Sequence, residues 1–219
     1  MKTIKLNNGV EMPLVGYGVF QVTPEECERC VTDALSVGYR SIDTAQAYFN
    51  EEGVGNAWRK SGISRDEIFL TTKVWISNYG YEKAKASIDA SLRKLQTDYI
   101  DLLLLHQCFG DYYGAYRAME DAVKEGKVRT IGVSNFYYDR FTDIAENASI
   151  VPAVNQIEVN VFAQQHLMQQ VCEKYGTHLM AWGPLAEGFN DFFNNPVLKA
   201  IGEKYGKSVA QVALHWLVQ

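Results

Sequence analysis

From residue 15 to residue 218 the chain alternates, without exception, between short apolar runs and longer amphipathic stretches. Apolar runs of strand length fall over 15–20, 39–43, 68–74, 100–105, 128–134, 153–158 and 178–182. Between them lie segments with helical spacing: from Pro24, over 51–60, around Ile88, Leu92 and Leu95, and over 113–125, 137–147, 164–175 and 208–218. Strict strand–helix alternation implies a parallel sheet, either open and doubly wound or closed into a barrel. Ile100-Asp-Leu-Leu-Leu-Leu105 is nearly continuous in apolar character, as a strand covered on both faces should be. The glycine fingerprint of a dinucleotide-binding open sheet is missing, because Gly16-Tyr17-Gly18 runs on into Val19-Phe20 without a third glycine. The pattern therefore predicts an α/β protein of the (β/α)8 TIM-barrel class.

Local signals sharpen this expectation. Thr23-Pro24-Glu25-Glu26 reads as a helix start, with Thr as N-cap, Pro in the first turn and Glu three residues on. Asn8-Gly9 between apolar runs predicts a type I′ turn and an N-terminal β-hairpin ahead of the barrel. The last helix is expected to bury Val209, Val212, Ala213, Trp216 and Leu217. Seven units occupy the 219 residues, whereas a complete barrel takes about 250. The eighth β/α unit is therefore expected to be absent from this chain, leaving the first and last strands without partners.

No linker, repeat or low-complexity stretch divides the chain, so residues 1–219 read as one barrel domain. A net charge of -5 with no basic stripe argues against a nucleic-acid partner. The start of the chain lacks a signal-peptide pattern, and no apolar run approaches membrane-spanning length. Cys27-Glu-Arg-Cys30 has CxxC spacing, but no second pair accompanies it, and two helix residues beside a core is the preferred reading. A reducing cytoplasm fits this cysteine usage.

In a parallel barrel the functional residues sit at the C-terminal ends of the strands. Those ends carry Asp43, Lys73, His106, Ser134-Asn135, Gln156 with Glu158, and Trp182. Tyr48 follows Asp43 in the loop that leaves its strand. Neighbouring strands place Asp43 and Lys73 at one level, where they can pair. A phenol with a pKa near ~10 is a poor acid at neutral pH unless a cation favours its ionised form. Lys73 is expected to supply that cation, with Asp43 holding it and His106 sharing the oxygen that Tyr48 protonates. Such a group suits carbonyl reduction, in which an alkoxide develops and takes a proton. Since side chains offer no hydride, a cofactor is required. Trp182 offers a flat face for a nicotinamide ring, and Ser134, Asn135 and Gln156 offer partners for its carboxamide. His166, His178 and His215 lie away from these strand ends and do not build a metal site with Asp43.

The segments carrying these residues resemble the aldo-keto reductase family. Gly38-Tyr-Arg-Ser-Ile-Asp-Thr-Ala-Gln-Ala-Tyr48, Leu70-Thr-Thr-Lys-Val-Trp75 and Asp98-Tyr-Ile-Asp-Leu-Leu-Leu-Leu-His106 look like its tyrosine, lysine and histidine segments. Ile131-Gly-Val-Ser-Asn-Phe136, Val154-Asn-Gln-Ile-Glu158 and Ala181-Trp-Gly-Pro-Leu185 look like its cofactor motifs. The likeness runs from residue 2 to the end, nearest to bacterial diketogluconate and xylose-type reductases. It implies Asp43, Tyr48, Lys73 and His106 as a catalytic tetrad. It also implies a cofactor site formed by Gly18, Val19, Asp43, Ser134, Asn135, Gln156, Trp182, Gly183 and Leu185. Phe20, Tyr48, Trp75 and His106 would wall a pocket for a small carbonyl compound, and no metal is implied.

NADPH is the implied cofactor, with NADH a second possibility, because the family grips the 2′-phosphate after its eighth strand. Without that unit the chain is expected to bind NADPH weakly or not at all. The loop over 187–195 would then either fold over the cofactor or pack on the surface. Gln107-Cys108 stands where many relatives have a proline. Relatives are often monomers. A non-catalytic nucleotide-sensing or scaffold protein on the same fold is the competing expectation.

Overall fold

The computed structural model describes residues 2–219. Strands β1 (Thr3–Lys5) and β2 (Glu11–Pro13) form an antiparallel hairpin. Seven parallel strands follow: β3 (Tyr17–Gly18), β4 (Ser41–Asp43), β5 (Phe69–Val74), β6 (Ile100–Leu105), β7 (Val128–Ser134), β8 (Val154–Glu158) and β9 (His178–Trp182). Each pairs with the next in chain order, and the sheet curls into a half-barrel. The outer helices are α1 (Pro24–Ser36), α2 (Glu51–Lys60), α3 (Tyr81–Leu95), α4 (Tyr112–Lys124), α5 (Tyr138–Asn147) and α6 (His166–Lys174). After β9 come α7 (Pro196–Tyr205) and α8 (Val209–Leu217).

Strand alternation explains how this frame serves a site. On β5, Leu70 and Val74 join the large core between sheet and helices, whereas Phe69 joins a second core inside the barrel. Lys73 lies four residues beyond Phe69, on the same interior side, at the opposite end. β6 repeats the scheme: Leu103 and Leu105 meet the helices, while Leu102 and Leu104 point inward and lead to His106. The hairpin closes the lower end, where Leu6 and Met12 pack on Phe69, Leu102, Leu104 and Val154.

The hairpin turn differs from the expected type I′. Gly9 N donates to Leu6 O and Leu6 N to Val10 O, both at 2.9 Å. Of the turn residues only Gly9 has positive φ, +89°, whereas type I′ needs two such residues. Asn7 and Asn8 are occupied otherwise: their side chains donate to Val151 O and Pro152 O, and to Arg129 O and Thr130 Oγ1. They fasten the plug to the barrel.

The helix start behaves as expected, with Thr23 Oγ1 accepting from Glu26 N at 3.3 Å. The strand expected over 15–20 contracts to Tyr17–Gly18, although Val19 N extends the ladder to Asp43 O at 3.0 Å. In the last helix only Ala213 is buried; Val209, Val212, Trp216 and Leu217 are half-exposed. α8 rests on α7 and the turn at Phe192, and Leu217 at its end touches the large core, which leaves most of the helix half-covered. Likewise every residue of β9 is half-exposed, while β5 and β6 are buried throughout. Cys27 is buried, with its thiol pushed up to about 11 by burial and by Cys30. All four cysteines are free, and Cys27 and Cys30 both lie on α1.

At the lower end, buried Asp101 accepts from Arg65 Nη2 and Arg129 Nη1 at 2.7 Å and from Leu70 N at 2.9 Å. One carboxylate thus joins β5, β6 and β7 far from the strand tips. Asp101→Ala is expected to cost about 3 kcal/mol, the low end for breaking a buried ion pair because both guanidiniums reach solvent. Urea denaturation measures it.

Candidate active site

Lys73 is 1% exposed. Its Nζ pairs with Asp43 Oδ1 and donates to Thr44 O at 3.0 Å and to Tyr48 OH at 3.4 Å. Burial works against its charge, but the Asp43 carboxylate, the Tyr48 phenol and the hydrogen bonds to both outweigh it. The Lys73 pKa therefore stays above the ordinary lysine value. Tyr48 ends a 3-10 turn, Gln46–Tyr48, closed by Phe49 in the left-handed region at φ 58°. Its phenol departs from expectation. Lys73 does favour the ionised form, but burial is the larger effect and Asp43 adds to it, so the Tyr48 pKa is raised. Tyr48 accordingly keeps its proton at neutral pH.

His106 N donates to Val74 O at 3.1 Å, which brings the imidazole up beside β5. The ring stands edge-on to Tyr48 and Trp75, with centroids 5.6 and 4.9 Å away. Burial and the Lys73 charge push its pKa down to about 3, so His106 is neutral and carries one ring N–H, and its buried Nδ1 has no protein partner among the described residues. Phe20, 56% exposed, lies 5.1 Å from the Tyr48 ring and faces solvent on its other side.

The residues expected to hold a nicotinamide are gathered at the adjoining rim. Asn135, at φ 63°, turns the chain away from β7. Its Nδ2 donates to His106 O at 3.1 Å and to Ser134 Oγ at 3.2 Å, and Trp182 Nε1 donates to its Oδ1 at 2.9 Å. Gln156 reaches across the barrel, with Nε2 2.8 Å from Asp43 Oδ2. Gly18 pairs with Asp43 across β3 and β4, and nothing stands within 4 Å of where its Cβ would be. Val19 is fully buried, so only its backbone faces this rim. Gly183 has φ 60°, and Leu185 packs into the local core of Ala186, Phe192, Leu198 and Ala213. A half-buried indole face beside amide and hydroxyl groups fits a nicotinamide and its carboxamide. In the loop over 187–195, Phe192 is buried while Phe189 and Phe193 are exposed.

Three polar residues that sequence reading passed over shape this rim. Gln46 accepts from Trp75 N and Asn78 Nδ2, both at 2.9 Å. Asn50 Nδ2 donates to Val19 O at 2.9 Å and Val22 O at 3.0 Å, and its Oδ1 accepts from Thr44 Oγ1 at 2.7 Å. Tyr79 OH donates to Gln107 O at 2.6 Å and accepts from Gln107 N at 3.0 Å. That bond defines the chain just past His106, at the Gln107-Cys108 departure. Amides in turns look like solvated loop residues, and no sequence signal marks them otherwise. The loops over 19–23, 44–50, 75–80 and 106–110 contain no Asp, Glu, Lys or Arg. Among the described residues no cluster of His, Cys, Asp and Glu could hold a metal. His178 Nε2 lies 3.2 Å from Lys5 O, at the hairpin end, and His166 Nε2 lies 2.7 Å from Gln164 Oε1 at the exposed start of α6.

Fold and rim define a β/α-barrel oxidoreductase. The chain belongs to the Aldo/keto reductase family, whose sequence profile matches residues 14–219. It is 46% identical to the glyoxal reductase of Bacillus subtilis (strain 168), covering 99% of this chain and 79% of that protein. Its fold superposes with a TM-score of 0.96 on an aldo-keto reductase enzyme from a deep-sea metagenome library, 42% identical, over 99% of this chain and 80% of that one. A Bombyx mori aldo-keto reductase solved in complex with NADP is 33% identical, TM-score 0.91, over 97% and 78%.

The low His106 pKa has a thermodynamic consequence. Between the ordinary value of 6.5 and about 3 the unfolded chain binds a proton that the folded imidazole refuses. Stability contributed by neutral His106 is therefore present above pH ~6.5 and lost as pH falls toward ~3. Thermal melting from pH 7 to 4 should fall less steeply in His106→Asn than in the unaltered protein. Equal slopes would show that His106 titrates normally.

Proposed function

We propose that the protein reduces small neutral aldehydes or ketones to alcohols with NADPH, and that Tyr48 is the proton donor. The observation that carries this reading is the Tyr48 hydroxyl 3.4 Å from a fully buried lysine already paired with Asp43. A reduced nicotinamide, bound by Ser134, Asn135, Gln156, Trp182 and the backbone at Gly18, Val19, Gly183 and Leu185, supplies hydride when present. Everything else falls to the chain's own side chains. His106, kept neutral, donates its ring N–H to the carbonyl oxygen and orients it toward Tyr48. As negative charge develops on that oxygen, Tyr48 releases its proton to it. The raised phenol pKa is no obstacle, since an alkoxide is a much stronger base than a phenolate. Lys73 stabilises the phenolate left behind, and Asp43 keeps Lys73 charged and in place. A preorganised cation facing developing charge in a dry site is worth far more than it is in water.

Phe20, Tyr48, Trp75 and His106 wall the substrate end, and the four uncharged loops around them suit a substrate without formal charge. The glyoxal reductase likeness points the same way. The NADP complex of the silk-moth relative supports NADPH over NADH. A monomer is in keeping with the family resemblance, and four free thiols suit the cytoplasm.

Glyoxal with NADPH is the direct test, followed at 340 nm. Tyr48→Phe is expected to lower kcat by about a hundredfold or more, the usual reach of general acid catalysis. Cofactor binding, read by quenching of tryptophan fluorescence, should persist. Lys73→Met should lower kcat likewise. Turnover that survives Tyr48→Phe would refute the assigned donor.

A further inference from the structure

Gln46 takes no part in the mechanism above, yet it sits two residues before Tyr48 in the same 3-10 turn and is 8% exposed. Its amide is fully engaged. Nε2 donates to Ser87 Oγ and Ser91 Oγ at 3.1 Å, both on α3. Oε1 accepts from Trp75 N and Asn78 Nδ2. A backbone N–H can only donate, so the amide oxygen must face Trp75 and the orientation is not interchangeable.

The position of Trp75 gives this bond its meaning. Val74, the last residue of β5, accepts from His106 N. Trp75 has left the ladder, and its N–H takes a partner from the Tyr48 turn instead. At the far end of the same loop, Tyr79 holds both backbone groups of Gln107. The segment over 75–79 is therefore a bridge, pinned by Gln46 beside Tyr48 and by Tyr79 beside His106.

We propose that Gln46 is a positioning residue for proton transfer: it locks the Tyr48 turn to the Trp75 loop, so that phenol, indole and imidazole keep their mutual placement. The proposal rests on the reading of Tyr48 as proton donor. The competing account is that Gln46 only anchors α3 through Ser87 and Ser91. The two halves of the amide separate these accounts. Gln46→Met keeps length and loses every bond, whereas Ser87→Ala with Ser91→Ala removes both α3 hydroxyl acceptors, leaving only the long 3.4 Å contact to Ser87 O, and spares the Trp75 half.

In Gln46→Met, Trp75 amide exchange should quicken at least about tenfold, and kcat with glyoxal should fall by about tenfold or more, since small misplacements of a reacting group are costly. KM for NADPH should stay within about twofold. The double serine variant should lower the melting temperature while leaving Trp75 exchange and kcat within about twofold of the unaltered protein. Should Gln46→Met fail to fold, Gln46→Asn, one methylene short, is expected to change Trp75 exchange and kcat in the same direction. Unchanged Trp75 protection or unchanged kcat in a folded Gln46 variant overturns the proposal, as does an equal kcat loss in the serine variant. If the unaltered chain itself shows no turnover, the function proposed above fails and this inference falls with it. Turnover there, with an indifferent Gln46 variant, defeats this inference alone.

Discussion

A lysine ammonium with almost no access to water is tolerable only if its charge is matched and its donors are used. Lys73 meets both conditions through Asp43, Thr44 O and Tyr48. Each partner adds a geometric demand. Asp43 has to end β4 beside β5, Thr44 has to turn its carbonyl inward, and the following 3-10 turn has to return Tyr48 to the same point. Asp43 spends its second oxygen on Gln156, which draws in β8 from across the barrel. The charge that fits this rim for chemistry is thus also what obliges four separate segments to meet there.

The barrel interior divides stability from chemistry along one axis. Below lie apolar layers closed by the hairpin plug, with the Asp101 ion pairs tying strand starts together. Above lie the polar strand ends. Thr71, between Phe69 and Lys73 on the interior side of β5, carries a buried hydroxyl without a protein partner among the described residues, and marks the crossing from one regime to the other.

Alternation, strand ends and the Thr23 helix start were legible because each depends on local spacing or on one side chain. Helix α2, and strands β6, β7 and β9, keep the bounds that their apolar runs suggest. The Asp43–Lys73 pair was legible because neighbouring parallel strands must place their tips together. What escaped depends on distant partners. The hairpin turn is decided by where Asn7 and Asn8 find acceptors more than a hundred residues away. The half-exposure of β9 and α8 depends on which neighbours cover them, which no periodicity encodes. The sign of the Tyr48 shift required weighing burial against Lys73. Gln46 and Tyr79 act through backbone groups, and a sequence carries no trace of which N–H has lost its ladder partner.

On the function proposed above, the uncharged loops around Phe20, Tyr48, Trp75 and His106 bear on how a substrate arrives as well as on which substrate fits. Charged clefts concentrate oppositely charged ligands and quicken encounter, a gain that added salt abolishes. Loops without formal charge would add no such pull on the carbonyl compound proposed above. On that function, capture would rest largely on short-range contact with aromatic faces, and the loops themselves would add little dependence on ionic strength.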